Sequence, residues 1–243
     1  MQIKNSVVLI TGAAMRVGRT IALELAKQGA IIAFSYYLEE EPWRATMEEI
    51  ENLCGECLAI QTEIRSASDV KNLVQQTIER FGRVDVLVNN ASVWLKAPFL
   101  EISEAEWDLS LDVNLKGPFL ASQAVAPYML DQGQGLIVNI TDLSAFQTWP
   151  GYAHHAASKA GLVALTKSLA VELAPEIRVN AIAPGTVLLP EDAPPEKEHW
   201  AVENSLLKRV GEPQDVARLL VFLIESDFTT GSVYFVDGGR SLV

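Results

Sequence analysis

Cysteine is nearly absent. Cys54 and Cys57 are the two in 243 residues, too few for a disulfide framework. They form a C-x-x-C, but no second pair stands at zinc-ligand spacing. The pair also closes a helical stretch rather than opening one, where a redox dithiol would gain its reactivity. Histidine is scarce: His154 and His155 are adjacent and point different ways, and His199 is the third. No metal site is expected. Basic residues are outnumbered, with 19 Lys and Arg against 31 Asp and Glu. The resulting net charge of −12 disfavours nucleic-acid phosphates and anionic lipid as partners. No apolar run approaches the roughly 20 residues of a membrane span. Met1 to Gly12 leads straight into a strand-like run, without the basic stretch, long apolar segment and cleavage site of a secretory leader. The expectation is a soluble, cytoplasmic chain.

Apolar residues make up 49% of the sequence, too many for a disordered chain. They alternate between short runs and longer stretches of helical period. The short runs are Val7–Ile10, Ile31–Phe34, Leu58–Ile60, Val84–Val88, Leu136–Ile140, Ile177–Ile182 and Val233–Val236. Continuous apolar runs of this length suit strands covered by helices on both faces. Helical spacing occupies Arg19–Gln28, Glu48–Leu53, Val70–Phe81, a long stretch from Glu104 to Leu130, His155–Leu173 and Val216–Ile224. The alternation predicts an α/β fold, a single-domain Rossmann-like doubly wound parallel sheet of seven strands flanked by helices. No repeat and no Gly/Ser linker divides it, so residues 1–243 read as one dinucleotide-binding and catalytic domain. The one shift in composition is Leu188–Trp200, rich in proline and acid. It reads as an exposed loop or lid, within a substrate loop around residues 186–206.

The first strand runs into a helix through Thr11-Gly12-Ala13-Ala14-Met15-Arg16-Val17-Gly18-Arg19. Glycines at such a turn let the backbone approach a pyrophosphate, and the helix N-terminus adds free N–H groups and a positive dipole. Arg16 stands where the middle glycine of this pattern usually is. Asn89-Asn90-Ala91-Ser92 follows a later strand, Ser158-Lys159-Ala160 lies in a long helix, Pro184-Gly185 follows the strand Val179–Ala183, and Val236-Asp237-Gly238-Gly239 follows the last strand. In this order and spacing they resemble the short-chain dehydrogenase/reductase family over essentially the whole chain. Within it, the turn with Arg16, Asn89-Asn90-Ala91-Ser92, Asp142 where most members carry Ser, the Pro190–Pro195 stretch and the ending Asp237-Gly238-Gly239-Arg240-Ser241-Leu242 look like the pteridine reductase branch.

The resemblance implies a nicotinamide cofactor and a dimer or tetramer built on the two long helices. It places Gly12, Arg16, Val17, Gly18, Glu63, Ile64, Asn90, Ala91, Lys159, Pro184 and Gly185 around the cofactor. The acidic residue that reads NAD ribose hydroxyls is missing near Tyr36, and Leu38-Glu39-Glu40-Glu41 offers no cation for NADP. Arg16 can reach a 2′-phosphate, which puts NADP ahead and leaves NAD open. The family's chemistry uses a Tyr four residues before its Lys. Lys159 matches, but the earlier position holds His155. Three readings follow: an imidazolium, titrating near about 6.5 rather than 10, replaces the phenol as acid; Tyr152 or Asp142 carries the proton; or the site is disabled. Asp142, thirteen residues before His155, holds the place of the family's Ser and can orient the acid or bind an amino group on a pterin-like ring. Asn114 resembles the family's helix-kinking Asn, which holds a water in the proton relay. The catalytic candidates are therefore Asn114, Asp142, His155 and Lys159. The expected function is NAD(P)H-dependent hydride transfer to a C=O or C=N bond of a small molecule, a pterin or a ketone, by a homo-tetramer or dimer. The alternative is a catalytically degenerate cofactor-binding sensor or partner subunit.

Overall fold

The computed structural model describes residues 1–190 and 192–243. Seven parallel strands form one sheet: β1 Val7–Ile10, β2 Ile31–Tyr36, β3 Cys57–Gln61, β4 Val86–Asn89, β5 Gly135–Ile140, β6 Ile177–Pro184 and β7 Val233–Val236. Their order is β3-β2-β1-β4-β5-β6-β7. Every strand predicted from a short apolar run is present. Side chains alternate between two cores, as a period of two requires. Val8, Ile10, Ile32, Phe34, Val86 and Val88 face one layer, while Leu9, Ala33 and Leu87 face the other. The first layer is closed by α1 (Arg16–Lys27), α2 (Trp43–Cys54) and α8 (Pro213–Glu225). The second is closed by α3 (Ala67–Phe81), α5 (Gly117–Asp131) and α6 (Ala153–Glu172). Strand order reverses between β1 and β4, which opens a crevice at their carboxyl ends.

Two expectations need correction. The stretch from Glu104 to Leu130 is not one helix. It comprises α4 (Glu104–Leu111), a π-helical turn over Asp112–Lys116, and α5. Ser103 and Glu106 start α4 with a reciprocal capping box. Pro118 has no N–H for the carbonyl of Asn114, and Gly117 donates instead to Asp112, five residues back. Nor is Leu188–Trp200 wholly a loop, because α7 runs over Pro195–Glu203. Pro195 suits the first helical position, where no N–H is needed, and Glu196 and Glu198 complement the helix dipole. Glu191, within the expected substrate loop, lies outside the described residues. Among the described residues no helix is long and apolar enough to cross a membrane.

A buried polar chain holds α6 to the sheet. Asn89 Nδ2 donates to Asn139 Oδ1 at 2.8 Å, Asn139 Nδ2 donates to Thr166 Oγ1 at 2.9 Å, and Thr166 Oγ1 donates to the Leu162 carbonyl at 2.8 Å. All three side chains are buried. Asn139→Ala strands partners on both sides, so it should destabilise the fold by about 1–3 kcal/mol. Urea unfolding checks this. An unchanged midpoint would show that the chain does not anchor α6.

Candidate active site

The turn after β1 is lashed to the loop after β4. Thr11 Oγ1 accepts from the Asn90 and Ala91 N–H groups, each at 3.0 Å. The Asn90 amide donates back to the carbonyls of Thr11 (3.0 Å) and Gly12 (2.8 Å). Gly12 has φ +64°, and a Cβ there would lie 2.9 Å from the Ala91 Cα. A Cβ on Gly18 would lie 2.5 Å from Asn90 Nδ2. Both glycines therefore serve close packing as well as an open turn. Arg16 adopts φ +56°, so the residue in the glycine position keeps a glycine-like backbone. Its side chain is exposed. No side chain caps the start of α1, which leaves its first N–H groups free for an anion. This cradle fits a dinucleotide pyrophosphate.

At the far end of the crevice, Tyr36 closes β2 and stacks on Trp43, with centroids 4.6 Å apart and planes at 8°. Arg44 lies 4.2 Å over the Trp43 ring and pairs with Glu39. Trp43 and Arg44 escaped sequence reasoning because they lie past the glutamate run, on the first turn of α2. The one available signal was Pro42, a helix opener. Glu63 is gripped by Arg65, with Nη2–Oε2 at 2.5 Å, and that hydrogen bond holds its carboxyl below the usual range. Ile64 is buried, and a Cβ on Gly117 would come within 2.9 Å of it. Val17 lies in the first turn of α1. Pro184 ends β6, and a Cβ on Gly185 would meet the Asp237 Cα at 2.8 Å, so this loop is pressed against the end of β7.

The structure brings Asn114, Asp142, His155 and Lys159 together. His155 is fully buried, and its Nε2 lies 2.6 Å from Asp142 Oδ2. Its Nδ1 lies 3.2 Å from the Val93 carbonyl. Asn114 Nδ2 is 3.3 Å from the same ring nitrogen, but its two protons have better acceptors, the Val93 carbonyl and Ser158 Oγ, both at 3.1 Å. Each ring nitrogen thus faces an acceptor to which it can donate. Asn114 Oδ1 accepts from Ser92 Oγ and Val93 N at 2.9 Å. The π-helical turn so aims Asn114 at the loop after β4 and at α6, away from its own helix. Lys159 is buried and donates to the Ile140 carbonyl at 3.0 Å. Burial holds its ammonium below the ordinary lysine value, with Asp142 pulling the other way. Burial pushes the Asp142 carboxyl up, yet the His155 hydrogen bond, the charge of Lys159 and the Ser144 hydroxyl outweigh it and hold the carboxyl low.

Other sequence candidates fall outside this cluster. Tyr152 precedes α6, with Trp94 at 4.9 Å and Trp149 edge-on at 6.5 Å. It is part of an aromatic wall. Trp94, which sequence reasoning passed over, also lies 4.3 Å from the His155 ring. His154 is buried without a hydrogen-bond partner among the described residues, and burial holds it neutral more readily. Burial also raises both thiols, Cys57 to about 12, so Cys54 and Cys57 are poor nucleophiles.

The lowered Asp142 carboxyl has a consequence for stability. An unfolded Asp titrates near about 3.9. The folded group sits below that, so the pair's contribution is complete above the unfolded value and is lost as pH falls through the folded one. Thermal melts from neutral pH downward should show wild type losing more stability below about pH 4 than Asp142→Asn. Identical acid limbs would assign the loss to other carboxylates.

Comparison with known proteins agrees with this fold. Residues 12–241 match the family model described as enoyl-(acyl carrier protein) reductase. The chain is 39% identical to a (2S)-[(R)-hydroxy(phenyl)methyl]succinyl-CoA dehydrogenase subunit of Thauera aromatica, covering 100% of this chain and 99% of that protein. It is 37% identical to the 3-oxoacyl-[acyl-carrier-protein] reductase of Thermotoga maritima, over 98% of this chain and 99% of that one. A solved short-chain dehydrogenase/reductase from Serratia marcescens superposes with a TM-score of 0.93 at 31% identity, covering 99% of this chain and 100% of that one. With the seven-stranded parallel sheet and the glycine turn at its switch point, these matches make the chain an oxidoreductase-type member of the short-chain dehydrogenase/reductase family.

Proposed function

We propose that the protein is an NAD(P)H-dependent reductase acting on a C=O or C=N bond, with His155 in place of the family's tyrosine. The observation that carries this reading is the 2.6 Å contact between His155 Nε2 and Asp142 Oδ2 beside buried Lys159. A bound nicotinamide supplies the hydride. Gly12, Val17, Gly18, Asn90 and Ala91 form the cradle for its dinucleotide, Glu63 and Ile64 flank the adenine end, and Pro184 and Gly185 close the nicotinamide end. Lys159 holds the ribose. The His155–Asp142 pair keeps a proton at the cleft and releases it to the substrate oxygen or nitrogen as a coupled unit. Asn114 positions the ring by fixing the Val93 carbonyl on its other edge.

The cofactor is NADP, with Arg16 on the 2′-phosphate. The substrate is a planar conjugated ring of the pterin kind or a ketone, seated on Trp94, whose indole is 55% exposed beside His155. The chain works as a cytoplasmic homo-tetramer or dimer. Exposed apolar residues on the helices Glu104–Leu111 and Gly117–Asp131, among them Trp107, Phe119 and Leu130, supply the contact.

Arg16→Ala should weaken NADPH binding relative to NADH by about 1–3 kcal/mol, read by fluorescence titration. Equal losses would remove Arg16 from the phosphate site. With saturating cofactor and a panel holding an acetoacetyl thioester, a dihydropterin and an activated ketone, turnover should rise as pH falls from about 8 toward about 6. His155→Ala should abolish it, and His155→Tyr should raise it at the alkaline end. A flat profile matched by the Ala variant would exclude His155 as proton donor. Tight cofactor binding with no turnover anywhere in the panel would replace the reductase by a cofactor-binding protein.

A further inference from the structure

An arginine outside the site described so far lies at the end of its aromatic wall, over Trp149. Arg240 follows β7 through Asp237-Gly238-Gly239, where both glycines have positive φ. Cβ atoms there would lie 2.5 Å from Ser205 Oγ and 2.7 Å from Leu206 Cδ1, so the turn is tight and admits little change. Asp237 pins it by accepting from Gly239 N at 2.9 Å and Ser241 N at 2.8 Å. The guanidinium then lies over two indoles, 4.9 Å from Trp149 and 4.6 Å from Trp200 of α7. Nη1 donates to Thr186 Oγ1 at 2.8 Å. Arg240 and Thr186 also line a cavity of about 400 Å³ under α7.

We propose that Arg240 is the anion-recognising residue of the substrate cleft, and that it selects substrates carrying a carboxylate at a distance from the reacting carbon. Three observations converge on it. A continuous aromatic wall, Trp94–Tyr152–Trp149, runs from His155 to the Arg240 cluster. A flat or extended molecule along that wall has its reacting end at the His155–Asp142 pair and its far end at the guanidinium. Among the described residues the carboxylates beside it are engaged elsewhere: Asp237 on its turn, Asp142 on His155 and Ser144, and Asp215 of the same cavity on Arg209 and Arg218. Burial disfavours the charge on Arg240, and Asp237 and Asp142 offset that only in part. An incoming carboxylate supplies the missing counter-charge in a site already held rigid, and a planar fork meets a carboxylate through paired hydrogen bonds.

The place of the reacting end rests on the reductase reading, so the test separates the two. The probes are 4-formylbenzoate and its methyl ester, which share one carbonyl and differ by one charge. Wild type should favour the carboxylate through KM. Arg240→Gln should raise KM for 4-formylbenzoate roughly 10- to 100-fold. Its kcat, and the KM of the ester, should stay within about twofold. Arg240→Lys keeps the charge without the fork and should retain part of the preference. Equal losses for both probes would make Arg240 a latch for α7 and overturn the proposal, as would a wild type without preference. If neither probe is turned over, the reductase reading is left to the substrate panel above, and calorimetry decides for Arg240. Binding of 4-formylbenzoate that is lost in Arg240→Gln, with the ester silent, upholds it. Binding of neither probe, or of both alike, overturns it.

Discussion

The two halves of the sheet meet where β1 lies beside β4, and the crevice there depends on the lashing between Thr11 and Asn90. Two N–H groups converge on one hydroxyl, and one amide returns two protons to the backbone carbonyls of the glycine turn. The polar groups at both strand ends are thereby satisfied inside the protein, at a place where burial without partners would cost several kcal/mol. The turn is held open, and the free N–H groups of the following helix are presented at a fixed point. Gly12 and Gly18 are needed as much for this packing as for the approach of a phosphate.

The same loop after β4 connects the cradle to the chemistry. Ser92 and Val93 are held by Asn114, and the Val93 carbonyl in turn fixes one edge of His155. The other edge meets Asp142 at the end of β5. Two strand ends and the π-helical turn thus converge on one imidazole. Burial of this ring without exposure is tolerable because both of its nitrogens have acceptors. Its neighbour His154, equally buried, has none among the described residues and remains outside the site.

Much of this was legible in the chain. Short apolar runs gave away all seven strands, since a strand covered on both faces has no polar side to show. The glycine turn is a local pattern, the resemblance to a known family singled out Asn90, Lys159, Asp142 and His155, and the structure gathers them at one edge of the sheet. Helix ends were less legible. The kink at Asn114 depends on a missing donor at Pro118, and α7 depends on proline being accepted at a helix start, both of which look like breaks in a periodicity count.

The sequence by itself determined the sheet, the cradle and the identity of the polar residues at the strand ends, because period and spacing are properties of the chain. Only the tertiary structure decided which of those residues touch. The Trp94–His155 contact and the Trp149–Arg240–Trp200 cluster join residues from different elements. Such contacts arise from how helices and loops settle over the carboxyl edge of the sheet. Their energy comes from side-chain packing across long sequence separations, which leaves no period and no motif behind.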